Sequence, residues 1–374
     1  MPAHSIIVSG HPVFLRRYGG FADSLSNYFG DVRPLPSGDW AGLPTRIAAK
    51  LVRGNPLEKF FKPYLSTYDK RPMTFVQRSR QTEKRIAAFA TKPDLVIHIF
   101  CLFAPFWKDL TIPYAMYLDY TMALARKEWP PWAPYRRESE FRAWFVNEQR
   151  AYRNAKVIFT MGSNCKNSLV NDYKISEGKI HVVGSGADFR HPYAGRKTFG
   201  TKQILFQGSE FERKGGDLLL EAFKLTRMAI PNATLVVIGT DRIITHPGVT
   251  SLGYVSVREQ VQKLFLSSDL VIAPARCDPF AAFVIEAMNY GVPAIVTKCS
   301  GISEVIDNGE NGVVIGTLNP SDIAAEAIRL LSSPAELDRI SNGGKRLVRE
   351  RLNWDSIAAR VSPFIQEILA DRAP

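Results

Sequence analysis

Two short stretches of the chain concentrate residue types suited to anion and hydroxyl recognition. The first is GSEFERKGGD (208–217), where Gly208 ends an apolar run, Arg213 and Lys214 follow in a loop, and Gly215 and Gly216 precede a helical pattern. Two cations beside a glycine-rich helix start form a cradle for phosphate oxygens. The order is Lys-Gly with no Ser or Thr after a Gly-Lys, so it is not a Walker A loop. A charged turn would read the same way in isolation. The second stretch is CDPFAAFVIEAMNYGVPAIV (277–296), with Asp278 just after a buried run and Glu286 eight positions later inside a helix. A helix starting near Ala281 turns its unpaired N–H groups toward the loop that carries Asp278, which suits a diphosphate. A carboxylate can accept two hydroxyl hydrogen bonds, so one could hold a ribose diol and the other a hexose. On spacing alone, a surface aspartate and a helix-face glutamate explain this stretch equally simply.

Continuous apolar runs, rather than strict alternations, must hold these loops in place. They fall at 5–9, 94–100, 114–118, 157–161 and 180–183, then at 203–207, 234–239, 270–275, 294–297 and 312–315. Such runs fit parallel strands covered on both faces. Between them lie amphipathic stretches, among them 217–228 with Leu218, Leu219, Ala222 and Leu225 apolar, and 323–331. Strand and helix alternate, which predicts an α/β fold of two Rossmann-like, doubly wound parallel sheets facing a central cleft. The segment at 188–201 has Pro, Gly and four basic residues without apolar period and reads as a linker. The expected division is residues 1–190, 191–355, and a terminal helix at 356–374 that returns to the first domain.

The composition narrows the function classes. With 374 residues, 45% hydrophobic and 22% charged, the chain is neither disordered nor fibrous. Cys101, Cys165, Cys277 and Cys299 lie far apart, with no CxxC and no His at zinc-ligand spacing. That argues against a disulfide framework or structural metal and favours a reducing compartment. The most apolar stretch, 93–107, is too short to span a bilayer, and the N-terminus lacks a basic n-region, so a cytoplasmic protein is expected.

The net charge of +12 is unevenly spread: residues 1–200 hold 30 Lys/Arg against 16 Asp/Glu, while 201–374 hold 18 against 20. Residues 46–92 alone carry 12 basic and 3 acidic residues, interleaved with Phe60, Phe61, Tyr64 and Leu65. This stretch could touch an anionic membrane at the inner face or grip an acceptor's phosphate. A solvated helical face is the ordinary explanation for such charge. No nucleic-acid recognition motif accompanies it, so nucleic acid is not an expected partner.

Together, GSEFERKGGDLLLEAF, DPFAAFVIEAMNYGVPAIV and SGISEVIDNGENGVVI, with VVIGTD and SLGYVSVREQVQKLFLSSDLVIAPA between them, resemble the C-terminal domain of GT-B glycosyltransferases of the retaining family 4 type. The resemblance covers essentially all of 203–360. It is weaker in the first half, at Gly19-Gly20 and at 162–189.

By that resemblance, Lys214 with Arg213 neutralises the donor diphosphate, Glu286 binds the ribose hydroxyls, and Asp278 contacts the transferred sugar. Gly208 ends the strand before the phosphate loop. Backbone N–H groups near Phe280, Ala281 and Ala282 hold sugar and phosphate, and the backbone at Tyr254 and Val255 faces the base. Gly19 and Gly20 let a loop of the first domain approach the phosphates. The resemblance implies transfer of a hexose from a nucleotide diphosphate sugar, UDP favoured and GDP next, to a polysaccharide- or glycolipid-type acceptor with retention.

No Asp-x-Asp occurs, so no metal and no other cofactor is expected, with the nucleotide sugar as co-substrate. The family usually has Glu at 278, Gly at 281 and Arg at 209, where this chain has Asp, Ala and Ser. It also commonly has a histidine where Leu118 and Asp119 stand, which makes Asp119 the substitute sugar contact. His11 ends the first strand, where inverting GT-B enzymes keep a base. It is read as an acceptor-site residue. The alternatives are an inverting enzyme using His11 and a catalytically silent GT-B-shaped binding or scaffold protein. A nicotinamide oxidoreductase is disfavoured by the lack of an early GxGxxG.

Overall fold

A computed structural model describes residues 4–38 and 70–371. Most of the basic stretch at 46–92, including Phe60, Phe61, Tyr64 and Leu65, lies outside the described residues. The chain divides into two compact units, Met1–Val183 with Ala358–Pro374, and Gly184–Ile357. Residues 188–201, expected as a linker, carry no helix or strand and fall within the second unit.

The first unit is built on a six-stranded sheet in the order β2-β1-β3-β4-β5-β6. The strands are β1 (His4–Gly10), β2 (Gly30–Pro36), β3 (Leu95–Ile99), β4 (Tyr114–Leu118), β5 (Val157–Thr160) and β6 (Ile180–Val182). Every pairing is parallel. All five residues of β3 and of β4 are buried, which is why their sequence shows no alternation. β2 escapes a reading of apolar runs because GDVRPLP is polar and holds two prolines. It pairs only with β1 at the sheet edge, where a proline's missing N–H costs no ladder bond. Helices α1 (Pro12–Arg17) and α2 (Gly19–Phe29) follow β1. Then come α3 (Pro72–Ala87), α4 (Met122–Glu128), α5 (Glu138–Asn154) and α6 (Ser163–Asn171).

The second unit repeats the plan with the order β12-β11-β10-β7-β8-β9. Its strands are β7 (Gln203–Gln207), β8 (Thr234–Ile238), β9 (Val249–Ser251), β10 (Leu270–Ala273), β11 (Ala294–Thr297) and β12 (Val313–Ile315), again all parallel. The short edge strand β9 has no apolar run and is silent in the sequence pattern. The helices are α7 (Gly216–Ala229), α8 (Arg258–Ser267), α9 (Ala282–Asn289), α10 (Pro320–Leu331) and α11 (Pro334–Glu350).

On α7 the buried face is Leu219, Ala222, Phe223 and Thr226, at helical spacing, while Leu225 is 39% exposed. The apolar stripe is therefore rotated from the one expected through Leu218 and Leu225. The terminal helix α12 (Trp354–Ala370) buries Ile357, Val361, Ile365 and Leu369 as its spacing predicts. In the first unit, Phe364 of α12 stacks on His181 with ring centroids 3.8 Å apart. In the second, Trp354 Nε1 donates to the Ala187 carbonyl at 2.8 Å. Among the described residues, no helix is long and apolar enough to cross a membrane.

In each sheet the strand order reverses once, between β1 and β3 in the first and between β7 and β10 in the second. The loops leaving the C-terminal ends of the two strands at such a reversal diverge to opposite faces and leave a crevice, the usual ligand position in open α/β sheets.

Candidate active site

In the second unit, the reversal gathers the two chemistry-bearing stretches. β7 and β10 pair through Ile204 with Leu270 and Leu205 with Val271, so the loop after Gln207 and the loop after Ala273 emerge side by side. The Arg276 N–H donates to the Arg213 carbonyl at 2.8 Å and ties the loops together. Gly215 makes the approach possible. It takes φ +73° as the cap before α7, and a Cβ there would lie 2.0 Å from the Pro274 carbonyl oxygen. Both the left-handed backbone and the missing side chain are therefore required. Glu210, a non-glycine residue at φ +52°, turns the same loop.

Arg213 is buried, and its contacts run inward. Nε and Nη2 donate to the Glu210 carboxylate at 3.1 and 3.0 Å, and Nη1 donates to the Cys277 carbonyl at 2.5 Å. Its Nη1 also lies 3.9 Å from Asp278 Oδ2. Lys214 Nζ is 3.4 Å from the same oxygen, with the lysine side chain 17% and the aspartate 11% exposed. The two cations thus converge on Asp278, Lys214 from the more open side. Lys214, Asp278 and Ala281 line a small cavity with Phe206, Gln207 and Val284.

Arg276, which the sequence reading passed over, holds the phosphate-loop candidate in shape. Its guanidinium makes a two-pronged pair with Asp217 at 2.7 and 2.6 Å and donates to the Glu212 carbonyl at 2.6 Å. That pair holds the Asp217 carboxyl below the usual carboxylate range. A sequence signal existed, an arginine two residues before Asp278, but a lone exposed-looking Arg carries no specificity.

The Asp278 loop is pinned from its other side. The Asp278 N–H donates to the Cys299 carbonyl at 3.1 Å, and the Gly301 N–H donates to the Asp278 carbonyl at 2.9 Å. A Cβ on Gly301 would sit 1.9 Å from the Pro279 carbonyl oxygen. The helix expected near Ala281 begins at Ala282, with Ala281 as the capping residue and no side-chain cap. The N–H groups of its first turn have no intrahelical acceptor and lie next to the Asp278 loop. Phe280, Ala281 and Ala282 are all buried.

Glu286 sits on α9 with its carboxylate 12% exposed. Its partner is Arg258, the first residue of α8, whose Nη1 donates to Glu286 Oε2 at 2.8 Å. Ser209 accepts from the Gln207 amide at 2.6 Å. Gly208 follows β7, its N–H bonded to the Ile238 carbonyl at 2.7 Å. Tyr254 is 70% exposed and Val255 half-buried, in the loop between β9 and α8.

The remaining expected residues belong to the first unit. His11 follows β1 and caps α1, with its ring 5.9 Å from Phe14. Gly19 and Gly20 open α2, and a Cβ on Gly19 would meet no atom within 4 Å, so packing does not demand glycine there. Asp119 directly follows β4 and is half-buried. Phe100, at the reversal, holds φ +62° at the end of β3 and packs edge-on against Phe14 and Tyr18 at 4.7 and 5.2 Å. A bulky residue in that backbone region is uncommon and marks a constrained site, and no sequence pattern announces it.

Residues 194–347 match the glycosyl transferases group 1 family. The chain is 28% identical over 232 residues to an uncharacterised glycosyltransferase of Methanocaldococcus jannaschii, covering 55% of this chain and 58% of that one. It is 25% identical over 282 residues to an MMP alpha-(1->4)-mannosyltransferase of Mycolicibacterium hassiacum, covering 70% and 65%. The matched regions thus span less than two thirds of these two relatives' own lengths.

Among solved structures, the sucrose-phosphate synthase of Thermosynechococcus elongatus superposes with a TM-score of 0.69 at 14% identity, covering 98% of this chain and 100% of that one. HepE of Anabaena, solved in complex with UDP and glucose, gives 0.63 at 13% identity over 97% and 99%. The chain thus shares the GT-B fold of these structures, and the family match is confined to residues 194–347.

Proposed function

With a group 1 glycosyltransferase domain set in a GT-B fold, we propose that this protein transfers a hexose from a nucleotide diphosphate sugar, with retention, to a polysaccharide- or glycolipid-type acceptor. One observation carries the reading: adjacent strands β7 and β10 deliver Lys214 and Asp278 to one place at the sheet reversal, 3.4 Å apart. An ammonium and a carboxylate held together suit the junction of a phosphate and a sugar, the first for a phosphate oxygen and the second for a sugar hydroxyl.

Cleavage of the anomeric C–O bond leaves negative charge on the departing nucleoside diphosphate. Lys214 is the cation that meets this charge, and Arg213, buried behind it, adds field and holds the loop. The first turn of α9 contributes oriented N–H groups. Fixed positive groups in a sheltered site stabilise developing charge better than mobile water does. Glu286 takes the ribose hydroxyls, and the backbone at Tyr254 and Val255 faces the base.

In the retaining step, the leaving phosphate oxygen accepts the acceptor's hydroxyl proton on the face from which the bond breaks, so no sugar–protein bond forms. In the first unit, Asp119, His11, Gly19 and Gly20 are the candidate residues of this reading. With protein cations doing the charge work and no Asp-x-Asp in the sequence, the reaction proceeds without a divalent ion.

The alpha linkage in the name of the Mycolicibacterium hassiacum relative supports retention, and the UDP bound to HepE supports a uridine nucleotide as first choice. The test is a thermal-shift screen of the full chain against UDP-, GDP- and ADP-sugars, followed by incubation of the best donor with EDTA. A folded-state ligand raises the melting temperature. The reading expects one nucleotide class to raise it and slow donor hydrolysis to persist in EDTA with the anomeric configuration retained. A panel without any shift, or an inverted product, defeats it.

A further inference from the structure

Arg258 is placed where a helix tolerates a cation least. It is the first residue of α8, at the positive end of the helix dipole, with no acidic residue before it and no side-chain cap. Its stem is half-buried, so local solvation does not account for it. What it touches does. Nη1 donates to Glu286 Oε2 at 2.8 Å, Nη2 donates to the Asp188 backbone carbonyl, and the Asp188 carboxylate is 3.8 Å from Nη1. The Tyr290 phenol, one helical turn beyond Glu286, is also within its reach. Burial alone would weaken the charge on Arg258, yet Glu286 and then Asp188 hold its pKa above the ordinary guanidinium value.

A planar guanidinium anchored at two separate points cannot rotate freely, so it fixes the plane of the carboxylate it holds. A carboxylate has about four lone-pair sites, enough in general to serve an arginine and a diol together.

We propose that Arg258 is the positioning residue for the donor's ribose: it orients Glu286 so that both ribose hydroxyls find acceptors. This rests on the reading of Glu286 as the ribose contact. The charge partner comes from a different element, 28 residues upstream, outside both the 208–217 and the 277–296 stretches.

The experiment is calorimetric titration of the full chain with UDP and GDP and with their 2′,3′-dideoxy counterparts. Wild type is expected to prefer the ribose form by about tenfold or more, the value of a charge-assisted hydrogen bond pair. Glu286→Gln abolishes the preference. Arg258→Gln is expected to abolish it too, by weakening the ribose form while the dideoxy form binds within about twofold of wild type. Arg258→Lys, which keeps the charge but loses the fork, gives an intermediate preference. A merely structural arginine would weaken both ligands together or lower the melting temperature without changing the ratio, and either result overturns the proposal. If Glu286→Gln removes the preference and Arg258→Gln and Arg258→Lys leave it intact, Arg258 alone is excluded. If wild type shows no preference, the Glu286 reading falls and the Arg258 proposal falls with it.

Discussion

The two sheets share strand number, parallel direction and a single reversal, which divides the first sheet two strands against four and the second three against three, yet the loops at the two reversals are built from different materials. In the second unit the crevice is ionic. Arg213, Lys214, Arg276, Asp217 and Asp278 form one connected set, with glycine at the close approaches. In the first unit it is aromatic. Phe14, Tyr18, Phe100 and Tyr117 pack edge-on there, and the core of the unit holds a buried charge of its own.

That charge is Glu148 of α5. It accepts from the Tyr173 hydroxyl and from the Met122 N–H at 3.3 Å, and so holds the start of α4 just after Asp119. One topology thus supports two kinds of site. The ionic edge suits an anion such as a phosphate, and the aromatic edge an apolar or ring-shaped group.

The contrast can be broken at its strongest point first. Gly215→Ala forces a Cβ against the Pro274 carbonyl at a left-handed backbone position. A loss of about 3 kcal/mol in chemical denaturation is expected, with donor turnover lost as the two loops part. Stability within about 0.5 kcal/mol of wild type would show that the loops do not need this approach.

A comparable effect, tunable by pH, is expected in the first unit. Burial pushes the Glu148 carboxyl up from 4.5 to about 7, against the hydrogen bonds that favour its ionised form. A raised folded-state value means that the fold favours the protonated group. The resulting stabilisation is complete below pH 4.5 and lost as pH rises through about 7, a change of about 3 kcal/mol. Cys101, Tyr152 and Tyr173 face the same pocket, and burial pushes each of them further up, so they stay protonated over this range. Once the intrinsic base-catalysed exchange rate is divided out, protection in β4 and α5 should therefore fall between pH 5 and pH 7 in wild type but not in Glu148→Gln, while β7 and β10 change little. Equal pH dependence in both units would erase the contrast.

The smallest effect sharpens the comparison. Gly19→Ala meets no protein atom and sits at a helix start, so stability should hold or rise slightly. If the space is used by donor phosphates, donor KM rises on the order of tenfold at constant melting temperature. An unchanged KM would remove Gly19 from the site.

The legibility of the chain follows the same division. Ten of the twelve described strands show as apolar runs because parallel strands are covered on both faces. The two that do not, β2 and β9, are edge strands, where burial no longer dictates composition. In the second unit, Lys214, Asp278 and Glu286 stand out because each lies in one of the two stretches, 208–217 and 277–296, whose charges, glycines and spacing are recognisable together. Arg258 and Arg276 do not, since what makes them informative is a partner that only the folded chain supplies. Phe100 and Glu148 were hidden for a related reason: a left-handed backbone and a buried carboxylate have no local sequence pattern.

The central claim is that Lys214, held beside Asp278, meets the charge of the leaving diphosphate. The most direct measurement is single-turnover donor cleavage by Lys214→Ala alongside its melting temperature. The account predicts a loss of about 10²–10³-fold in rate, with partial recovery in Lys214→Arg and little change in melting temperature. A rate within about threefold of wild type would contradict it.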